Sequence, residues 1–179
     1  MKKALLLLIS LFLVGLWFSS GAVPLDATLL RKAEGECTKR RSQLNNKRYV
    51  TIIDYRKNLL QHRLWVYDRV KQQVVLNARV SHAWNSGFLY ANDFSNSDGS
   101  NKNCTGSFIT LDSYQGHFGY ALRVQGVSEA VNTNALKRAI VFHPDPGYRW
   151  SKGCFMTDAK TNVTLINLIK GGSLVYVAR

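Results

Sequence analysis

The sequence predicts a mainly β fold with few helices, and three observations carry that expectation. Short runs rich in β-branched and aromatic residues recur along the chain, one segment near the C-terminus has a helical period, and the connecting stretches are dense in Asn, Ser, Asp and Gly. A short helix is expected over Ala27–Glu36. Strands are expected at Tyr49–Tyr55, Arg63–Tyr67 and Val74–Val80, where the residues suit a pleated, half-buried surface. Residues 92–103, from Asn92 to Asn103, have no periodicity and read as a loop. Further strands follow at Ser107–Leu111, Ala121–Val124, Arg138–His143 and Ser173–Val177. Between the last two, Thr157 or Asp158 can cap a helix whose apolar face is Val163, Leu165, Ile166 and Ile169, stopped by Gly171 and Gly172. No internal repeat is present.

The N-terminus has a different character. Met1-Lys2-Lys3 precedes an apolar run from Ala4 to Phe18, and small residues follow at Ser19 to Ala22. A basic head, about 15 apolar residues and a small-residue site predict a secretory signal peptide over residues 1–22, with a retained anchor as the alternative. No other segment is apolar enough to span a bilayer. Residues 23–47 form a basic N-terminal segment, including Lys39, Arg40, Arg41 and Lys47, and 48–179 form the main domain. The composition, 46% hydrophobic and 20% charged, excludes a disordered chain.

The chain has 24 Lys and Arg against 11 Asp and Glu, a formal charge of +13; without Lys2 and Lys3 it is +11. That balance favours an anionic partner, and export sets nucleic acid aside in favour of acidic wall or envelope polymers. The three cysteines, Cys37, Cys104 and Cys154, leave at least one thiol unpaired in an exported monomer. A Cys37–Cys104 disulfide would leave Cys154 free, although spacing alone does not settle connectivity.

Cys154 is also the best candidate for chemistry. An apolar strand ends in His143, and eleven residues on comes Ser151-Lys152-Gly153-Cys154, with Pro144, Pro146 and Gly147 making a turn between. An imidazole beside a thiol is a standard way to generate the nucleophilic thiolate. Gly153, lacking a Cβ, would let a substrate carbonyl approach, and N–H groups of Gly153 and Cys154 could receive its oxyanion. The positive end of the helix expected from Asp158 would favour a thiolate at Cys154. A buried structural cysteine is the plainer alternative. No metal or cofactor is called for: His82, His117, His143 and the cysteines lack paired ligand spacing.

Motifs in order along the domain sharpen this. They are Arg63-Leu64-Trp65-Val66-Tyr67-Asp68, Ser81-His82 with Ser86-Gly87, and Leu89-Tyr90-Ala91 with Phe94-Ser95-Asn96. Next come Thr105-Gly106, Tyr114 with Gly116, Gly119-Tyr120 with Leu122-Arg123, and Asn134-Ala135. Arg138-Ala139-Ile140-Val141 with His143, then Ser151 with Gly153-Cys154, complete the series. From about Tyr49 onward the chain resembles the murein L,D-transpeptidase catalytic domains, in the branch related to YkuD-type enzymes.

The resemblance implies a β-rich sandwich or barrel, a nucleophile at Cys154 and a catalytic histidine at His143. It also implies an exported, periplasmic or extracytoplasmic enzyme acting on peptidoglycan stem peptides, with D-alanine released and an amine or water as acceptor. His82 and Tyr90 are candidates to line the donor cleft, with packing as the alternative. Ser151 either bonds within the site or shapes the turn, and Lys152 either steers an acidic peptide or is solvated. The sequence departs from the family at Pro144, where glycine is common, at Lys152, at Phe155-Met156 and in a short His143–Cys154 connection. Of the rivals, a sortase-like enzyme expects Thr before the cysteine and Arg soon after, whereas Gly153 precedes it and the next arginine is Arg179. Papain-like enzymes order the pair in reverse. A non-catalytic wall-binding module on the same fold remains.

Overall fold

The structure, a computed structural model, describes residues 24–179; the expected signal peptide over residues 1–22 lies outside the described residues. After helix α1 (Ala27–Lys39), strands β1 (Tyr49–Asp54), β2 (Leu64–Asp68) and β3 (Gln73–Ala78) make an antiparallel set. A short β4 (His82–Ala83) precedes the long hairpin β5 (Gly106–Gly116) and β6 (Gly119–Gly126). Then come β7 (Val141–Pro144), β8 (Trp150–Ser151), β9 (Phe155–Thr157), α2 (Ala159–Ile169) and β10 (Leu174–Ala178). The order β3-β2-β1-β10-β5-β6-β7-β9 makes one curled eight-stranded sheet, and β4 pairs with β8 in a second, two-stranded one. The fold is therefore the mainly β class the sequence implies.

Each face of the central strands is covered by one helix. In β1, Val50 and Ile52 pack in the layer beneath α1, while Ile53 faces the opposite layer, where α2 lies. Strand β10 splits in the same way, with Leu174 in the first layer and Val175 and Val177 in the second. Burial on both faces explains why these strands are apolar nearly throughout. The basic N-terminal segment supplies one of the two covers: Leu29, Ala33 and Cys37 of α1 are buried, and Arg40 donates to the Val127 carbonyl at 3.1 Å.

The layering overturns the proposed disulfide. Cys37 belongs to the layer under α1 and Cys104 to the layer on the other side of the sheet, and all three thiols are free. Burial pushes both Cys37 and Cys104 up to about 11, so they behave as small apolar side chains.

Both helix starts are capped by aspartate. Asp26 accepts from the Leu29 N–H at 2.8 Å, and Asp158 accepts from Thr161 at 3.0 Å. Gly171 and Gly172 leave α2 with φ of +78° and +94°. The expected apolar face of α2 needs one correction. Val163 is 46% exposed, and Asn162 takes the inner position, donating to the Tyr120 carbonyl at 2.7 Å. A second correction concerns β7, which starts at Val141 because Ala139, at φ +53°, turns the chain beforehand.

The two kinds of position on α2 differ in energetic weight. Leu165→Ala should cost about 2–5 kcal/mol by leaving a cavity, whereas Val163→Ala should change stability by less than about 0.5 kcal/mol. Urea unfolding of the two variants checks this.

Candidate active site

Strands β7 and β9 run parallel with Phe142 opposite Phe155 and His143 opposite Met156. Successive side chains alternate faces. Phe142 and Phe155 therefore enter the core, where their rings pack at 4.8 Å, while His143 and Cys154 fall on the outer face together. Both line a cleft of about 760 Å³ with Arg138, Met156 and the aromatic residues Trp84, Phe118, Tyr148 and Trp150.

The imidazole is held in one tautomer. His143 Nδ1 donates to the Pro144 carbonyl at 2.8 Å, because a carbonyl only accepts, and this leaves Nε2 as the basic nitrogen. The acceptor is main-chain, so proline serves here as well as glycine would. Phe118, at the tip of the β5–β6 hairpin, stacks on the ring at 5.0 Å. Burial lowers the His143 pKa below its ordinary 6.5, opposed by the Pro144 hydrogen bond and the charge of Asp145.

Cys154 is partly exposed, and its sulfur lies 3.5 Å from the Ala139 carbonyl. Burial raises its pKa, with the Val141 N–H and the Arg138 charge opposing. The expected help from the α2 N-terminus does not reach it, since β9 intervenes between Cys154 and the helix. At neutral pH both members of the pair are uncharged, a thiol and an imidazole.

Two polar side chains bond directly to the turn before Cys154, and a third secures the chain beside it. Ser151 Oγ donates to the Cys154 carbonyl at 2.7 Å and accepts from the Gly153 N–H at 3.0 Å. Ser151 thus shapes the turn, and the Gly153 N–H is already engaged. Buried Asn103 donates to the Gly153 carbonyl at 2.9 Å and accepts from the Ala83 N–H at 2.5 Å. Arg138 donates to the Lys102 carbonyl at 2.6 Å and the Ser95 carbonyl at 2.7 Å.

Gly153, at φ +128°, has no room for a side chain: a Cβ would lie 2.5 Å from Ile140 Cδ1 and 3.1 Å from the Lys102 carbonyl. The missing Cβ therefore serves packing beneath the turn, a correction to the expected substrate approach. Lys152 is exposed on the cleft wall.

His82 and Tyr90 are not brought to the cleft. His82 is fully buried, its Nδ1 accepting from Arg63 at 2.9 Å and its Nε2 donating to the Gly87 carbonyl at 2.8 Å. Burial and the Arg63 charge lower its pKa, so it is a neutral packing residue. Tyr90 is 44% exposed and lies outside the cleft lining. Sequence reasoning assigned no role to Asn103, Phe118 or Arg138. Arg138 stood in a matched motif, and Phe118 between Gly116 and Gly119 was a visible hairpin tip, but nothing local marked Asn103.

The curled β-sheet brings His143, on β7, and Cys154, just before β9, to one cleft. Residues 22–178 match the L,D-transpeptidase catalytic domain, and the chain belongs to that family. Among solved structures, it is similar to the helical cell shape determining protein Pgp2 from Campylobacter jejuni. The TM-score is 0.52 at 10% identity, over 72% of this chain and 46% of that one. L,D-transpeptidases from Stackebrandtia nassauensis (TM-score 0.49, 12% identity, 76% and 58% covered) and Mycobacterium smegmatis (0.47, 12%, 74% and 59%) also align. The chain thus spans between 46% and 59% of the length of these three structures, and the likeness is one of fold. No curated protein sequence matches it.

The geometry has consequences for pH dependence and for stability. The neutral His143 should be lost only as pH falls through its lowered pKa, so the acid limb of thiol acylation lies below pH 6.5. Phe118→Ala should move that limb upward by admitting water to the ring. Alkylation of Cys154 should still be accelerating beyond pH 9.0, as expected for a thiol with a raised pKa; a plateau near neutrality would indicate a thiolate–imidazolium pair instead. Asn103→Ala leaves the Gly153 carbonyl and Ala83 N–H buried and unpaired, costing about 1–3 kcal/mol for each group. Chemical unfolding and the acylation rate should both register it.

Proposed function

We propose that this protein is an exported cysteine L,D-transpeptidase acting on peptidoglycan stem tetrapeptides through a thioester on Cys154. The observation that carries the reading is that Cys154, just before β9, and His143, on the paired β7, line one cleft, with His143 Nε2 left unprotonated. The family match supports the reaction class.

The chemistry follows from the resting state. His143 Nε2 takes the proton from the Cys154 thiol as sulfur attacks the carbonyl of the diamino acid residue. Because the Gly153 N–H is engaged by Ser151, the oxyanion falls to the Cys154 N–H. The peptide C–N bond then breaks, the imidazolium protonates the departing amine, and D-alanine leaves behind a tripeptide thioester. An acceptor amine then attacks the thioester and gives up its proton to His143; the C–S bond breaks, the Cys154 thiolate takes that proton back, and a cross-link or attached chain results, while water in place of the amine gives L,D-carboxypeptidase activity. Export and a periplasmic or extracytoplasmic location suit this substrate, as does a charge of +11 facing acidic wall polymers.

The test is incubation of the chain lacking residues 1–22 with tetrapeptide muropeptides, followed by mass spectrometry. A tripeptide adduct on Cys154 with D-alanine release, both absent from Cys154→Ala, is expected. Murein binding by both forms with neither adduct nor D-alanine would replace the enzyme by a wall-binding module.

A further inference from the structure

The mouth of the cleft carries large aromatic side chains that the acyl-transfer chemistry does not use. Trp84 is 59% exposed and Phe88 70% exposed, and half-buried Trp150 lies between them. Exposed aromatic surface at this density marks a binding site more often than a neutral surface.

The rings are fixed. The Trp150 indole N–H donates to the Phe88 carbonyl at 3.0 Å, the Phe88 ring stacks on Trp150 at 5.2 Å, and Trp84 meets Trp150 edge to face at 4.9 Å. Trp150 covers one face of Phe88, and the other is open. The backbone beneath is pinned as well. Strands β4 and β8 pair His82 with Trp150 and Ala83 with Ser151, and the turn after Trp84 passes through Gly87 at φ +139°, where a Cβ would lie 2.1 Å from the Tyr90 carbonyl. The platform is thus organised before any ligand arrives, which limits the ordering that binding requires.

Flat, fixed ring faces beside a polar rim suit a ligand with one apolar face and a polar edge, and a pyranose ring has that shape. The rim is cationic, since exposed Arg149 and Lys152 flank the Trp150–Ser151 strand, which matches a sugar bearing an acidic peptide. The placement also agrees. A stem peptide hangs from an amino sugar with three residues up to the scissile carbonyl, about 10 Å when extended. Trp84 and Trp150 line the same cleft as Cys154, and Phe88 stacks on Trp150 just outside that lining, so the platform adjoins the cleft on one side.

We infer that Trp84, Phe88 and Trp150 form a sugar-binding platform, continuous with the Cys154 cleft, that seats the amino-sugar ring carrying the donor stem peptide. This rests on the peptidoglycan substrate proposed above. The enzyme consequently prefers a donor still attached to its glycan over a free peptide.

Two measurements test it. In the first, acylation of Cys154 is compared for the free tetrapeptide and for the same tetrapeptide on its disaccharide. The glycan-linked donor should react with roughly tenfold higher kcat/KM. Phe88→Leu, which keeps an apolar side chain but removes the flat face, should abolish that preference while leaving the free peptide's rate within about twofold; Phe88→Tyr should retain it. Equal rates for the two donors, or equal losses on both in Phe88→Leu, would overturn the platform while leaving the transpeptidase intact.

The second measurement follows tryptophan fluorescence of the Cys154→Ala protein titrated with peptide-free wall glycan. Saturable quenching that Phe88→Leu weakens and Phe88→Tyr retains is expected. Its appearance in a protein whose wild type forms no acyl-enzyme would uphold the platform and refute the enzymatic reading. No quenching would count against the platform. Circular dichroism of each variant establishes that it is folded.

Discussion

The register between β7 and β9 is the constraint on which the site depends. Phe142 opposite Phe155 places two aromatic rings in the core, and Phe108 meets Phe155 edge to face at 5.6 Å to complete the cluster. Because side chains alternate along a strand, a slip of one residue would carry Cys154 inward and expose Phe155. The apolar cluster therefore aims Cys154 at the cleft. The Phe155-Met156 pair meets this demand: Phe155 fills the core and Met156 lines the cleft.

Around that register, buried polar side chains secure the turn that the strand pairing leaves open. Ser151, Asn103 and Arg138 each bond to main-chain groups on or beside residues 151–154. Arg63 does the same one layer further out. Fully buried, it donates to the Val80 and Lys57 carbonyls and to His82, and burial pulls its pKa down to about 10, so it remains charged at neutral pH. Its partners are dipoles, which suit a delocalised guanidinium with several donors. Through His82 and the Gly87 carbonyl, this network supports the loop bearing the aromatic wall.

A neutral thiol facing a neutral imidazole fits the cleft's apolar walls. Separating charge there before substrate arrives would be opposed by desolvation, the largest influence on both Cys154 and His143. In the proposed reaction proton transfer is coupled to attack, when the developing oxyanion meets the Cys154 N–H. Phe118 acts on the same balance by stacking on the imidazole and keeping solvent from one face.

Much of this was legible in the amino-acid order, because the signals are local. Alternating and β-branched runs located the seven longer strands but not the short β4, β8 and β9, whose two or three residues are too few to show a period; Asp158 was one of two candidates for the start of α2, and Gly171-Gly172 marked its end. An odd cysteine after a strand-end histidine, within a series of family motifs, singled out Cys154 and His143. What tertiary structure alone decided concerns partners distant in sequence. Asn103 reaches Gly153 fifty residues away, and no local pattern encodes a hydrogen bond across that interval. His82 and Cys154 are both compatible with a cleft by residue type, yet the path through β4 buries one and the register of β9 leaves the other accessible. Cys37 and Cys104 could be paired on paper, but a sheet lies between them. Local sequence determines what a residue can do chemically; the packing of distant strands determines which groups it meets.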